Sequence, residues 1–547
     1  MIARAGGKAR QIMREDPVDV LIIGAGASGA AVAWSLAETK MRIVCLEQGQ
    51  MPDQSTFPTT GMDWEARRGS DFHISPNVRK GPADYPVNDD DSPIKVVNYN
   101  GVGGGTVFFA GHFPRLHPSD FKVRSWDGVA DDWPIDYATL EPFFEINDRM
   151  MGVARLPGDT AYPPGGRGNL LPPVPMGKSG STIAQGFNKL GWHWWPSDVA
   201  IATEAYDGRA QCINLGACLW GCAQGAKGSA DVTYWPHAQR AGVELWTGCR
   251  VREITTNDEG MADGVVYFDA EGVEQKVQAH VVIMACNGVG TPRLLLNSKS
   301  KAFPDGLANS SGLVGRNLMF HPYSFTEAVF EDKQDGHRGT MKSIWSHQFY
   351  ETDPTRGFVR GYIFEATRGR SPFSTAEAGY EWGHIPWGEG HHAGFRKLQD
   401  RITGLVTICE DLPELHNRVT LDPDLKDQDG IPAPKIDYTL SENSIRMLEH
   451  SSARAREVLE AAGGTEVHSR WPVAYSGWHL LGTARMGLDP ADSVVNEWGR
   501  AHDVKNLFIV DGSVFVTSGG LNPTSTLQAT ALYIADQIKQ RLAILFD

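Results

Sequence analysis

Near the N-terminus, the run VDVLIIGAGASGAAVAWSLAE followed by RIVCLEQG admits very few folds. Val18–Ile23 is a short, mostly apolar, β-branched run suited to a strand buried on both faces. Gly24, Gly26 and Gly29 then give GxGxxG, and the following alanine-rich stretch continues at helical period. Gly24 permits the tight turn, Gly26 lets backbone approach a pyrophosphate, and Gly29 lets the helix pack against the strand. The helix start, with Ala27 and Ser28, offers free N–H groups to the phosphates. The next apolar run ends at Glu47 and Gln48, roughly 20 residues on, where an acid meets ribose hydroxyls. A carboxylate there repels a 2′-phosphate, so NADP is disfavoured, while the motif does not separate FAD from NAD.

A chain of 547 residues is too long for one simple core, so two domains are expected. A net charge of −15 argues against a general nucleic-acid binder. No apolar run is long enough for a membrane span. The N-terminal MIARAGGKARQIMRED is basic without an apolar core, which reads as a disordered arm rather than a secretory signal. Seven cysteines in so long a chain make no disulfide framework, and the expected compartment is the cytoplasm. Export to the periplasm beside a signal-bearing partner is the alternative.

Distant segments return to the same fold. Asn100–Gly111 is a glycine cluster in which Gly103, Gly104, Gly105 and Thr106 let backbone pass close to a planar ring. Residues 243–254 read as strand, turn and strand, with Val251 among the cofactor-facing residues, and 281–285 as a buried strand. Asn287–Pro292 reads as a turn, with Pro292 at the first position of a helix. The class is therefore α/β, with a discontinuous Rossmann-like domain over 1–322 and 472–547. Alternating runs such as GFVRGYIFEA, RITGLVTICE and NRVTLDPD mark 323–471 as an α+β substrate domain with an antiparallel sheet. Ser441 is placed as the N-cap of a helix reaching Ala462. Pro157–Pro175 and Arg368–Ser374 read as surface loops. Trp382, His384, Trp387, His391 and His392 either line a substrate pocket or sit in surface loops.

The chemistry is expected at the C-terminal end. His479 lies in YSGWHLLGTARMG, ahead of a last strand closed by Asp511. In SGGLNPTSTLQATALYIADQI, Asn522 is a good N-cap, Pro523 suits N1, and Thr524 follows at the start of a helix. Such a helix start, placed at a flavin's pyrimidine edge, would stabilise the anionic reduced ring.

With these motifs in order, the chain resembles the glucose–methanol–choline (GMC) family of flavin oxidoreductases, in its bacterial dehydrogenase-like branch. GAGASG with Glu47, the Asn100–Gly111 loop, ACNGVGTPRLL, GLVGRNLMFHP, HLLGTARMG and VDGSVFVTSGGLNPTSTLQATALYIAD carry the likeness. The resemblance implies FAD, and oxidation of a CH–OH group by hydride transfer to flavin N5. It also implies that His479 is the base and Asn522 its partner, electrons passing to a quinone, cytochrome or other non-oxygen acceptor. Aryl or lignin-type alcohols and sugars are the substrate classes considered. An unperturbed imidazole predicts activity falling with pH near roughly 6.5. The rivals are a peroxide-producing oxidase, a redox-silent or lyase-type flavoprotein and an electron-transfer subunit.

Cys212, Cys218 and Cys222 stand close together in QCINLGACLWGCAQGAKGSADVTYWP. They suggest an iron–sulfur ligand set, and one branch of the resembled family carries a three-iron cluster, of the [3Fe-4S] kind, in a comparable place. That branch has more cysteines there than this chain, which has Gln211 and Leu215 instead. Free or packed thiols and a Cys218–Cys222 disulfide are the alternatives.

Overall fold

The eleven-residue strand Glu274–Met284 ties the molecule together, because its two halves pair differently. Its first half is antiparallel to Ala262–Phe268, and that strand is antiparallel to Arg250–Thr256. Its second half, buried and apolar, runs parallel to Val18–Ile23 on one side and to Leu507–Ile509 on the other. Ile43–Glu47 and Glu244–Thr247 extend the parallel part beyond Val18–Ile23. The computed structural model describes residues 17–163, 168 and 170–542, and among these the sheet has seven strands. The arm expected over 1–16, and part of the Pro157–Pro175 loop, lie outside the described residues.

The central parallel strands Val18–Ile23 and Ile43–Glu47 are mostly apolar and buried because helices cover them. Ala27–Leu36 packs against the C-terminal helix Thr524–Arg541, so both ends of the chain close one layer. A Cβ on Gly29 would stand 2.0 Å from the Gly24 carbonyl oxygen, which is the close helix–strand approach that the third glycine of the motif allows.

A second sheet is antiparallel and six-stranded among the described residues. Its order is Thr465–Arg470, Tyr323–Val329, Ile402–Cys409, Tyr362–Thr367, Lys342–Phe349 and Trp195–Pro196. Its back packs on the helices Gly177–Leu190 and Glu442–Ala461 through Ile183, Phe187, Phe364, Leu405, Met447 and Val458. Ser441 caps the second helix by accepting from the Ser444 backbone N–H. Trp195–Pro196 joins this sheet from before Tyr323. The hairpin of Arg418–Lys426 and Pro432–Asp437 leans the other way, its Val419 and Ile436 clustering with Tyr85, Val289 and Leu480.

Three local expectations change. Pro292 lies inside the helix Asn287–Asn297 rather than opening it. The Gly288 carbonyl, which a proline N–H cannot serve, accepts the Thr483 hydroxyl at 2.8 Å instead. Arg368–Ser374 is only half a loop, since a helix begins at Pro372, the favoured first position. Asn522 does not cap the terminal helix: Pro523 precedes Thr524, no side chain caps it, and the Asn522 carboxamide is used elsewhere.

Candidate active site

A cavity of about 770 Å³ lies between the two sheets. On one side it is walled by the carboxyl ends of the parallel strands, at Ile23–Gly24, Leu46–Glu47 and Ala285. This is the crevice where open α/β sheets take their ligands. On the other side the antiparallel sheet presents alternate residues, Tyr323, Phe325 and Glu327 from one strand and Glu365 and Thr367 from another.

Gly24, Gly26, Ala27, Ser28, Glu47, Gln48, Gly104, Gly105, Thr106, Val251, Asp511, Asn522, Pro523 and Thr524 all line the cavity, as does His479. Gly29 and Gly103 do not: Gly29 packs on the strand, and Gly103 turns the loop with a φ of 93° against Asp231. The two glycine loops meet, since a Cβ on Gly104 would lie 2.8 Å from the Gly26 Cα. Glu47 is fully buried and accepts the Ala25 and Gly49 backbone N–H groups at 2.8 and 2.9 Å, with burial raising its pKa and those bonds opposing the rise. Asn98 also lines the cavity, with both carboxamide atoms buried and unpartnered. A bare glycine-walled floor, a buried acid and an unsatisfied amide are what a dinucleotide would complete.

His479 reaches this cavity from the far side of a short antiparallel contact. Met319 and Leu481 exchange backbone hydrogen bonds at 3.0 and 3.2 Å. Two residues away on each strand stand His321 and His479, whose Nδ1 atoms are 2.8 Å apart. His321 Nε2 is 2.6 Å from the Gly519 carbonyl oxygen. Burial pushes His479 well below the ordinary histidine range, the field of His321 adds to that, and Glu365 opposes it. His321 is pushed down to about 4, chiefly by burial. Both imidazoles are therefore neutral near pH 7, and the expected titration near 6.5 is displaced downward.

Asn522 stands beside a buried network that was missed in the sequence. His112 Nδ1 lies 2.5 Å from Glu365 Oε1 and 3.0 Å from Asn522 Oδ1, and Lys342 Nζ lies 2.9 Å from the other oxygen of Glu365. Burial works against the charge on Glu365, but His112 and Lys342 outweigh it and hold the carboxyl below the usual range. An ionised carboxylate only accepts, so His112 Nδ1 carries the proton and Asn522 must turn its oxygen toward it. The Asn522 Nδ2 is then the end left to the cavity. Nothing in the sequence marked His112, the residue directly after the glycine cluster, or a glutamate inside an alternating strand.

Lys227 is a second buried group without a sequence signal. Its Nζ donates to the carbonyls of Val107, Phe109 and Cys218 at 2.7, 2.9 and 2.6 Å, fastening the second glycine loop to the cysteine loop. Burial pushes it down to about 8.

Among the described residues Cys212, Cys218 and Cys222 do not bring three ligand atoms together, so an iron–sulfur cluster is not supported. All seven cysteines are free thiols, which also removes the Cys218–Cys222 disulfide. Among the described residues, the one group of three ligand atoms close enough to share an ion is Asp335, His337 and Asp400, without a cysteine. Cys212 packs as a small apolar group with Cys218 beside Val199 and Ile201, and burial raises it to about 11, away from a thiolate. The loop's contribution to the cavity is apolar, through Leu219 and Trp220. Trp382, His384, Trp387, His391 and His392 do not line the cavity: Trp382 stacks on His468, His384 pairs with Glu466, and Trp387 is exposed. Among the described residues no helix is long and apolar enough to cross a membrane.

Residues 174–323 and 413–531 match the two family models described as GMC oxidoreductase, and 22–79 match the NAD(P)-binding Rossmann-like domain. The chain is 39% identical to 2-methyl-1,2-propanediol dehydrogenase of Mycolicibacterium austroafricanum, over 97% of each protein. It is 32% identical to 6'''-hydroxyparomomycin C oxidase of Streptomyces lividus, over 96% of this chain and 92% of that one. Its fold is shared by pyridoxine 4-oxidase from Mesorbium loti, with a TM-score of 0.65 at 17% identity over 96% of this chain and 99% of that one. The chain belongs to the GMC oxidoreductase family and is an FAD-dependent oxidoreductase acting on CH–OH donors.

Proposed function

We propose that this enzyme oxidises one hydroxyl of a small vicinal diol or polyol to the carbonyl, with His479 as base and a non-oxygen acceptor taking the electrons. FAD, when bound along Gly24–Ser28, Glu47 and Gly104–Thr106, supplies the hydride acceptor. His479 takes the hydroxyl proton on its free nitrogen. The Asn522 carboxamide donates to the same oxygen and holds it in line. Phe325, Val406 and Trp478 give the cavity an apolar wall that excludes water as charge develops on that oxygen.

The observation that carries the reading is a neutral, buried imidazole and an oriented carboxamide facing one cavity beside a dinucleotide floor. The preference for a second hydroxyl comes from Glu365 and Lys342, an acceptor and a donor that both line the cavity wall. The similarity to a diol dehydrogenase points the same way. An aryl alcohol offers no second hydroxyl to that pair, so the aryl class ranks below diols and sugars. The test is anaerobic flavin bleaching by matched substrates, a 1,2-diol against the alcohol lacking its second hydroxyl, followed by dye-acceptor turnover with and without oxygen. Equal kcat/KM for the pair removes the diol preference. Peroxide in step with turnover makes the enzyme an oxidase, the activity named for the Streptomyces relative. Absence of any bleaching across alcohols, diols and sugars overturns the reaction itself.

A further inference from the structure

We infer that His321 is a positioning residue that fixes which nitrogen of His479 is free to act. The Gly519 oxygen can only accept, so His321 Nε2, 2.6 Å away, carries that ring's proton. A neutral imidazole has one proton, so His321 Nδ1 presents a lone pair. His479 Nδ1 is 2.8 Å from that lone pair and must be the donor. The rings meet edge to face, 4.7 Å between centroids at 86°. His479 Nε2 is then bare, and it is the nitrogen left to the cavity that His479 lines. The order along the chain of bonds is Gly519 C=O, H–Nε2 of His321, Nδ1 of His321, H–Nδ1 of His479, and the open Nε2.

The fold enforces this pairing. The Met319–Leu481 contact is antiparallel, so residues two ahead on one strand face residues two behind on the other, and those residues are His321 and His479. His321 itself is fully buried and does not line the cavity, which separates it from groups that touch substrate. A carboxylate in its place would also orient His479, but its charge would raise the basicity of the imidazole. A neutral orienter fixes the tautomer and leaves His479 uncharged in the resting site. When His479 takes a proton on Nε2, its Nδ1–H keeps the same acceptor, and the Gly519 carbonyl cannot accept the proton onward. The proton therefore stays at His479 Nε2 until it leaves through the cavity.

The inference rests on His479 as the base, but nitrogen NMR of the ¹⁵N-histidine holoenzyme reads the tautomer whatever the turnover of His479→Ala. His479 signals, assigned by their loss in His479→Gln, should show a protonated Nδ1 and a bare Nε2. His321→Leu removes the acceptor and should shift His479 toward the other tautomer. Its kcat should fall about 10- to 100-fold with KM little changed, part of the roughly 10²–10⁴ that a placed base supplies. His321→Asn puts an amide oxygen near the lost Nδ1 and should restore most of the rate. A wild-type His479 protonated at Nε2 overturns the inference. So does His321→Leu with wild-type kcat and an unchanged tautomer, or His321→Asn as slow as His321→Leu with flavin bound in both. If His321→Leu does not hold flavin, the wild-type resonances alone decide.

Discussion

Glu365→Gln is a substitution of one atom that should reach the chemistry through two other residues. In the native site the carboxylate accepts the His112 Nδ1–H, and the same nitrogen faces Asn522 Oδ1. Lys342 Nζ, 2.9 Å from the second carboxylate oxygen, would claim the oxygen of a glutamine. The new amide N–H₂ then points at His112, whose Nδ1 must become an acceptor. Asn522 loses its donor, its carboxamide turns over, and an oxygen instead of an N–H₂ group faces the developing alkoxide. A hydrogen bond to a charged group contributes about 1.5–3 kcal/mol, and at 1.36 kcal/mol per decade the loss is roughly 10- to 150-fold. Anaerobic stopped-flow reduction of the bound flavin measures it directly. Lys342 would also be left without its counter-charge, so Lys342→Met with Glu365→Gln is the companion variant that separates folding from orientation. The decisive arm is a cycle with Asn522→Ala: if Glu365 acts through Asn522, adding Glu365→Gln to that background changes the rate little. A full penalty in both backgrounds, or wild-type reduction in the single variant, refutes the reasoning.

His479→Ala should keep bound yellow flavin yet lose roughly 10²–10⁴ in turnover; unchanged turnover would remove the base assignment. Because burial and then His321 lower the His479 pKa, the neutral base persists into acid, and the acid limb of kcat/KM should fall clearly below pH 6.5. A limb at or above that value in the free enzyme contradicts the burial argument. Lys227→Met would leave the Val107, Phe109 and Cys218 carbonyls without their donor, at about 1–3 kcal/mol for a buried unpaired group, and should lower both Tm and flavin retention; thermal unfolding with flavin release monitored in parallel checks it. Purified enzyme should contain no stoichiometric iron, and metal analysis showing about three irons per chain would overturn the reading of the cysteine loop.

What the sequence made legible is what local chemistry dictates. Val18–Glu47 was readable because turn, helix start and acid follow one another with nothing folded between them. The Ser441 cap and the alternating strands were readable for the same reason. Asn522 is misplaced only as a helix cap: Asn before Pro is a favoured helix entry, but a partner 410 residues away takes its side chain. The cysteine triplet failed in the opposite way. Close spacing is necessary for a cluster but does not aim thiols at one point, and here Cys218 sits on a short 3-10 turn beside apolar side chains. His112, Glu365, Lys342 and Lys227 left no local trace, since each is defined by partners far along the chain.

The two networks also explain why the proposed catalytic pair is built from so many distant pieces. His479 is oriented by His321 and Gly519 within the neighbourhood of the terminal strand, whereas Asn522 is oriented by His112 and, through it, by Glu365 and Lys342 on the antiparallel sheet. The proposed base is thus held by neutral groups, and the proposed donor by a charged pair. That division has an electrostatic reason. A carboxylate hydrogen-bonded to His479 would favour its imidazolium and remove the base at neutral pH, while the same carboxylate behind His112 polarises the N–H that fixes Asn522. Glu365 still reaches His479 as a weak opposing field, so its position is a compromise between the two. It follows that Glu365→Gln should move the acid limb of the pH profile further down even as it slows flavin reduction. A purely structural defect would slow the reaction and leave the limb where it was.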